Sequence, residues 1–581
     1  MKELLKSIYK KLSIKIILIT CLVAANVYLM ICPSKILGNI IDLLADSVKN
    51  KELIINNILL LLGVSLVFIF VRIVWKYLLA NTTRTLEKDL KDKLFENFLK
   101  IKLSSIQDIK NGEIMSYFAK DIGEIRGATY RVLSHASRIF FTFTMTTYTM
   151  FKVNVSLTLA AICPVIITLG ITLILKKYVE KSFKKAQKHF TGLSEYVQES
   201  TDAIRTTKAY SGETNQLKKF IKKNKLLKMS NIAVDVYTTL LSSTVMICFG
   251  FCYGITLMYG SRLVLSDAIT IGELISFTGY IDLYLTPLFW LPGIISKIER
   301  AIISYHRLDK VFKLEKEHLK FEGIGSGERV HGDISIKNLT FNYPGNMDII
   351  LDDISIDIKE GETLGIIGTI GSGKTTLMNL LLRLYPVQNG KITIDGQDIN
   401  DIELIKLRNS VSYITQDNFL FSTTIKDNIS LFKGDFNDQE IEDSLEKSMM
   451  FDDVEKMKNG IYTVIGERGI DLSGGQKQRV VISRAFLNKS NIVIFDDTFS
   501  ALDNKTEKLL LANIKELVKG KTCIIISNRI SDIKDANHII VLDKGKIVEQ
   551  GKHKDLLKNK GLYNKFYKQQ SSKDDDDSIL N

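Results

Sequence analysis

The sequence predicts two dissimilar parts: an N-terminal all-α domain of six membrane helices, then a C-terminal α/β domain built on a phosphate-binding loop. Three observations carry this. Apolar residues concentrate in the first 300 positions, in six runs close to bilayer length. A glycine-rich turn at 368–376, "GTIGSGKTT", stands between an apolar strand pattern and an amphipathic helix pattern. A second apolar strand pattern, 492–495, stops on two adjacent carboxylates, Asp496 and Asp497. At 581 residues the chain also exceeds one ordinary domain.

The six runs fall at about 16–31, 54–75, 139–151, 157–175, 240–259 and 274–295. The third, "FFTFTMTTYTMF", holds five threonines, whose hydroxyls can bond back to their own helix and keep the segment compatible with a span. Lysines precede the first run as in a signal peptide. No small-residue cleavage site follows, however, and the helical pattern continues past Pro33, so it reads as a retained span.

Charge orients these spans. Segments 84–131 and 176–238 hold 10 and 14 Lys/Arg, against two, one and one in 45–53, 148–156 and 260–273. Basic loops stay cytoplasmic, which predicts a multi-pass cell-membrane protein with both termini and the C-terminal domain in the cytoplasm. The same loops account for much of the +13 net charge, and without base-reading modules they do not point to nucleic acid. Helical periodicity in "RTLEKDLKDKLFENFLKIKL" predicts that the spans continue as helices beyond the bilayer. The six cysteines lie in apolar segments without metal-ligand spacing and read as packing residues.

The glycine-rich turn matches G-x-x-x-x-G-K-[ST] at Gly368, Gly373, Lys374 and Thr375. In such a loop, spanning here also Thr369, Gly371, Ser372 and Thr376, glycines let backbone N–H groups close on phosphate oxygens. The following helix N-terminus adds positive potential. Lys374 would pair with the β- and γ-phosphates, and the Thr375 hydroxyl would ligate Mg²⁺.

Further motifs follow in order: "SYITQDNFLF" with Gln416, "IGERG", "LSGGQKQR" at 472–479, "IVIFDD", "SALD" and "CIIISNRIS" with Asn528. This series resembles the ATP-binding-cassette (ABC) family, specifically half-transporters of the exporter type, over nearly the whole chain. "NGEIMSYFAKDIGEIR" and "IRTTKAYSGE" look like the coupling loops of those exporters. The resemblance implies ATP and Mg²⁺ as cofactors, with Thr375, Gln416 and Asp496 at the metal. It implies that Tyr343 stacks on adenine. It also implies that two cassettes pair head-to-tail, so that Ser473, Gly474, Gly475 and Gln476 complete a partner's site.

The family's hydrolytic positions are altered. The residue after the metal carboxylate is a glutamate in hydrolysing members and Asp497 here. A misplacement of about 1 Å can cost on the order of a hundredfold. The family's catalytic histidine after "CIIIS" is Asn528, which can donate a hydrogen bond but carries no charge and relays no proton. Together with the intact signature, this predicts the degenerate-site subunit of a heterodimeric multidrug-type exporter. A slowly hydrolysing homodimer and a non-transporting membrane regulator are the alternatives.

The substrate is less legible. Asp282 falls roughly 15 Å into the sixth run at 1.5 Å rise per residue, where an acid faces a cavity or a partner. It is a candidate contact for a cationic or polar part of a drug, lipid or peptide, or else a partner for another helix. The expected domain boundaries are 1–315 for the membrane domain, 316–333 for a charged, glycine-containing linker and 334–570 for the cassette. An acidic tail, 571–581, is expected to be disordered.

Overall fold

The structure, a computed structural model, describes residues 1–45, 51–106, 109, 111–317, 329–432, 436–466, 472–499 and 504–579. Most of the linker, the end of "IGERG" and all of "SALD" lie outside these residues. Two compact units emerge, one of residues 1–99 and 110–314, the other of 100–109 and 315–581. The boundary falls within a residue of the expected 315, but the short segment 100–109 belongs with the second unit.

The first unit is helical throughout. Its long helices are α1 (Lys2–Ala45), α2 (Lys51–Lys100), α3 (Ser137–Val153), α4 (Val155–Asp202), α5 (Glu213–Leu265) and α6 (Ile271–Phe312). Helical backbone runs unbroken from 111 to 153, widening into π turns at Tyr117–Asp121 and Val132–Ala136. The expected extension of the spans holds: α2, α4 and α5 are 50, 48 and 53 residues long. Among the described residues α1, α2, α4 and α5 are long and apolar enough to cross a membrane. The third expected span lies in α3, which alone is only 17 residues because a π turn separates it from the helix before. The sixth lies in α6.

Small residues set how these helices meet. Gly38 of α1 and Gly272 of α6 touch backbone to backbone: a Cβ on Gly272 would stand 2.1 Å from the Gly38 carbonyl oxygen. Asp42 secures the crossing, accepting from Thr270 Oγ1 and from Gly272 N, each at 2.7 Å. The threonines of α3 serve packing. Thr142 and Thr146 are fully buried, and Thr147 hydrogen-bonds Tyr284 at 2.6 Å.

The second unit holds two sheets. The four-stranded one is antiparallel, ordered β2-β1-β4-β5 (β1 Ile334–Phe341, β2 Leu351–Ile358, β4 Ile392–Ile394, β5 Gln397–Asp398). The six-stranded one is ordered β10-β9-β3-β8-β7-β6. Its strands are β3 (Thr363–Gly368), β6 (Val411–Ile414), β7 (Ile492–Asp496), β8 (Thr522–Ile526), β9 (His538–Asp543) and β10 (Lys546–Gly551). All are parallel except β10. β7 and β8 are buried along their whole length, as apolar runs covered on both faces should be. Register decides where the chemistry falls: Ile526 of β8 pairs with Ile366 on one side and Asp496 on the other. The C-terminal ends of β3, β7 and β8 therefore finish together, where open parallel sheets bind ligands.

The last helix is Leu562–Ile579. The packed turn holding Leu562, Tyr563 and Phe566 nucleates it, and each further residue then adds one hydrogen bond.

Candidate functional site

A cleft of about 340 Å³ opens at these strand ends. It brings together Tyr343, the loop residues Gly371 to Thr376, Gln416, Asp496, Asp497 and Asn528. Gly368 ends β3 just beneath, and Thr369 is tied to Asp543 at 2.8 Å.

The loop's glycines are required by its path. Gly371 and Gly373 have φ of +78° and +97°, and a Cβ on Gly373 would come within 2.6 Å of the Leu351 side chain. A Cβ on Gly368 would strike the Leu542 carbonyl oxygen at 2.1 Å. Lys374 folds back over the loop, donating to the carbonyls of Gly368 (2.8 Å) and Thr369 (3.0 Å). Burial lowers its pKa, opposed by the negative charges of Asp496 and Asp497. Ser372 Oγ is buried without a partner, a polar atom awaiting a ligand oxygen. Tyr343 OH lies 2.8 Å from Thr376 Oγ1, which fixes its half-buried ring at the cleft wall.

Asp496 is buried, and burial raises its pKa. Two hydroxyls oppose that shift by donating to its Oδ2: Thr375 at 2.9 Å and Tyr413 at 3.0 Å. A threonine hydroxyl and a carboxylate together are the oxygen donors a small hard cation selects, so these residues fit Mg²⁺. Tyr413, on the strand before in chain order and 83 residues away, was not expected. Only the β6–β7 register brings it to Asp496.

Asp497 and Asn528 face the same cleft. Asp497 has a left-handed backbone, φ +47°, held by its N–H donating to Ile526 O at 2.8 Å. Asn528 follows β8 on an exposed loop that is braced from several directions. Ser527 N donates to Ile366 O (3.1 Å), and Ser527 Oγ to Asp532 (2.6 Å). Gln570 of the last helix clasps the loop, donating to Asn528 O (2.7 Å) and accepting from Ile530 N (2.9 Å).

The signature residues stand apart from this cleft. Ser473 caps the helix Gly474–Leu487 and forms a reciprocal box with Gln476, with bonds of 3.2 and 2.9 Å. Gln476 is in turn fixed to Asp453 at 3.0 Å. Gly474 and Gly475 form its first turn, and none of Ser473 to Gln476 is among the residues lining the cleft that holds Lys374.

In the helical unit, Asp282 accepts a hydrogen bond from Tyr253 of α5, so the alternative of pairing with another helix is realised. No cysteine forms a disulfide, and Cys523, fully buried, has its thiol pushed up to about 12. No cluster of potential metal ligands of the His/Cys/Asp/Glu type occurs among the described residues.

Comparison with known proteins agrees with both units. Residues 16–288 match the family described as ABC transporter transmembrane region, and residues 351–500 the one described as ABC transporter. The chain is 34% identical over 556 residues to the Bacillus subtilis "Probable multidrug resistance ABC transporter ATP-binding/permease protein YheI", covering 95% of this chain and 94% of that one. It is 32% identical over 507 residues to the Escherichia coli "Alpha-hemolysin translocation ATP-binding protein HlyB", covering 85% and 70%. Among solved structures, a bacterial Atm1-family ABC exporter with ATP bound superposes with a TM-score of 0.79. That match covers 97% and 99% of the two chains at 22% identity, a likeness of fold.

Proposed function

The chain belongs to the ABC transporter family, and on that premise we propose that it is the degenerate-site subunit of a heterodimeric exporter. It is a multi-pass membrane protein with an ATP-binding domain of the ABC ATPase type. Its nucleotide domain and termini would lie in the cytoplasm, as the basic loops argue.

The observation that carries the reading is the pairing of Asp497 and Asn528 on the cleft that also holds Lys374 and Asp496. The binding half is complete. Gly371 to Gly373 offer backbone donors, Lys374 supplies charge, and Tyr343 offers an aromatic face to adenine. Thr375, Asp496 and Gln416 would hold Mg²⁺, which when bound supplies Lewis-acid polarisation of the phosphates. The water-activating half is weakened. Asp497 reaches one methylene less far than glutamate, and Asn528 can hold a phosphate oxygen by one neutral hydrogen bond but cannot relay a proton. Ser473, Gly474 and Gly475 would instead complete the partner's cleft, with the helix start and the hydroxyl directed at its γ-phosphate.

The cargo would be a hydrophobic or amphipathic drug, lipid or peptide, the breadth suggested by multidrug and toxin relatives. Asp282 accepts from the neutral Tyr253 hydroxyl through one oxygen, so its carboxylate would still be a contact for a cationic or polar part of the cargo. The test is purification of the tagged chain from its native membrane in mild detergent. Co-purification, in equal amount, of a second half-transporter carrying Glu and His at the matching positions is expected. Recovery of a self-dimer alone would favour the slow homodimer.

A further inference from the structure

Arg72, Lys76, Arg131, His135 and Arg138 gather where α2, the π turn Val132–Ala136, α3 and α6 meet. The His135 ring lies 4.5 Å from that of Trp290 on α6, and the Arg138 guanidinium 5.4 Å above the same indole. Arg138 also reaches Met30 Sδ of α1 at 2.9 Å. Arg131 Nη1 stands 3.1 Å from where a Cβ on Gly293 of α6 would be, which places the guanidinium against that helix. Arg72 is near enough to repel Arg138, and Lys76, Arg131 and Arg138 all act on His135.

Among the described residues these cations have no counter-ion of their own. Residues 4–41, 53–86, 125–179 and 283–298, which supply the surrounding helices, contain no Asp or Glu. Of the acids that bound these stretches, Glu3 and Glu52 are exposed near the starts of α1 and α2, Glu180 and Glu299 pair with Lys176, and the other four are engaged as well. Asp42 holds Thr270 and Gly272, Glu87 holds Arg84, Lys91 and Arg126, Glu124 holds Lys297 and Arg300, and Asp282 holds Tyr253. Among the described residues Arg72, Lys76, Arg131 and Arg138 make no ion pair. Simple interfacial anchors would extend outward to lipid headgroups. Arg138 instead sits between α1 and α6, inside the bundle. The π turn Val132–Ala136 lies between Arg131 and Arg138, and Arg72 and Lys76 stand exposed on α2 beside them.

We propose that this cluster is a binding site for the anionic group of an amphiphile, a phosphate or carboxylate attached to an apolar body. The position suits such a ligand. Arg72 lies three residues inside the end of the 54–75 run, and Arg138 one residue before the 139–151 run, so the anion meets the cations while its apolar part follows the spans. Trp290 offers a face to the apolar segment next to the anion. The inference deepens the export reading above by naming the class of cargo.

Trp75 and Trp290 are the two tryptophans, so a Trp75→Phe background isolates Trp290 as a reporter inside the site. The full chain in dodecyl maltoside is titrated with dodecyl phosphate, dodecylphosphocholine and inorganic phosphate. Saturable change of Trp290 emission is expected with dodecyl phosphate, about tenfold tighter than with the zwitterion, because charge-assisted bonds are lost there. Arg138→Gln should weaken dodecyl phosphate about tenfold and leave dodecylphosphocholine unchanged. Lys76→Gln, an exposed position that leaves packing intact, should weaken it severalfold. Retained ATP binding verifies that each variant is folded. Equal affinity for the two alkyl ligands, or variants that bind as the parent does, would overturn the site. Inorganic phosphate binding as tightly as dodecyl phosphate would overturn the amphiphile. Binding intact without ATP-driven transport in vesicles would instead overturn the export reading and leave the site standing.

Discussion

At one end of the nucleotide cleft, Lys374, Thr375 and Asp496 are interlocked through bonds of 2.8 to 3.0 Å with the loop backbone, each other and Tyr413. At the other end, Asp497 and Asn528 are equally well placed by backbone, through Ile526 and Gln570, yet on the proposed reading they activate water less well than Glu and His would. The scaffold is the same at both ends and the side-chain chemistry is not. On the proposed reading a cassette keeps binding while losing hydrolysis, because the two tasks rest on different side chains, adjacent at the end of β7 in the case of Asp496 and Asp497.

The sharpest way to break this comparison lies at the signature. Gly475→Asp should lower ATPase activity of the complex on the order of a hundredfold or more, since a carboxylate would face the partner-bound γ-phosphate. Lys374→Ala should weaken ATP binding to the isolated chain by about tenfold or more, yet slow the complex only severalfold through a looser dimer. Equal, complete loss of turnover in both would mean the two sites are equivalent. Asp497→Glu with Asn528→His should raise hydrolysis in this cleft by about tenfold or more, and Asp497→Glu alone far less. Full rescue by the single change would show that Asn528 carries little of the defect.

Two smaller effects sharpen the account of binding. Burial lowers the Lys374 pKa, so the lysine sheds its proton at lower pH than an exposed one. ATP affinity should then fall as pH rises toward the ordinary lysine range, and Lys374→Arg should flatten that fall. Gln570→Ala leaves Asn528 O and Ile530 N unpaired, and should cost about 1 kcal/mol, a few degrees in Tm.

The sequence disclosed the phosphate loop and the signature because both are local, strand–turn–helix segments whose chemistry sits within a few residues. It also disclosed the helical extensions, since their periodicity runs on past each apolar run. Tyr413 and Gln570 were hidden because sheet register and the last helix, not sequence proximity, bring them to Asp496 and Asn528. The cations around Trp290 read only as positive-inside charge, because helix packing rather than sequence proximity brings His135 and Arg138 to that ring.

The most direct measurement of the central claim is hydrolysis of γ-labelled ATP by the isolated, purified chain, with bound nucleotide counted in the same sample. The expected result is near-stoichiometric Mg-ATP binding, abolished by Lys374→Ala, with turnover about a hundredfold below that of the assembled complex. Vigorous hydrolysis by the chain alone, also abolished by Lys374→Ala, would contradict it and make Asp497 a competent base.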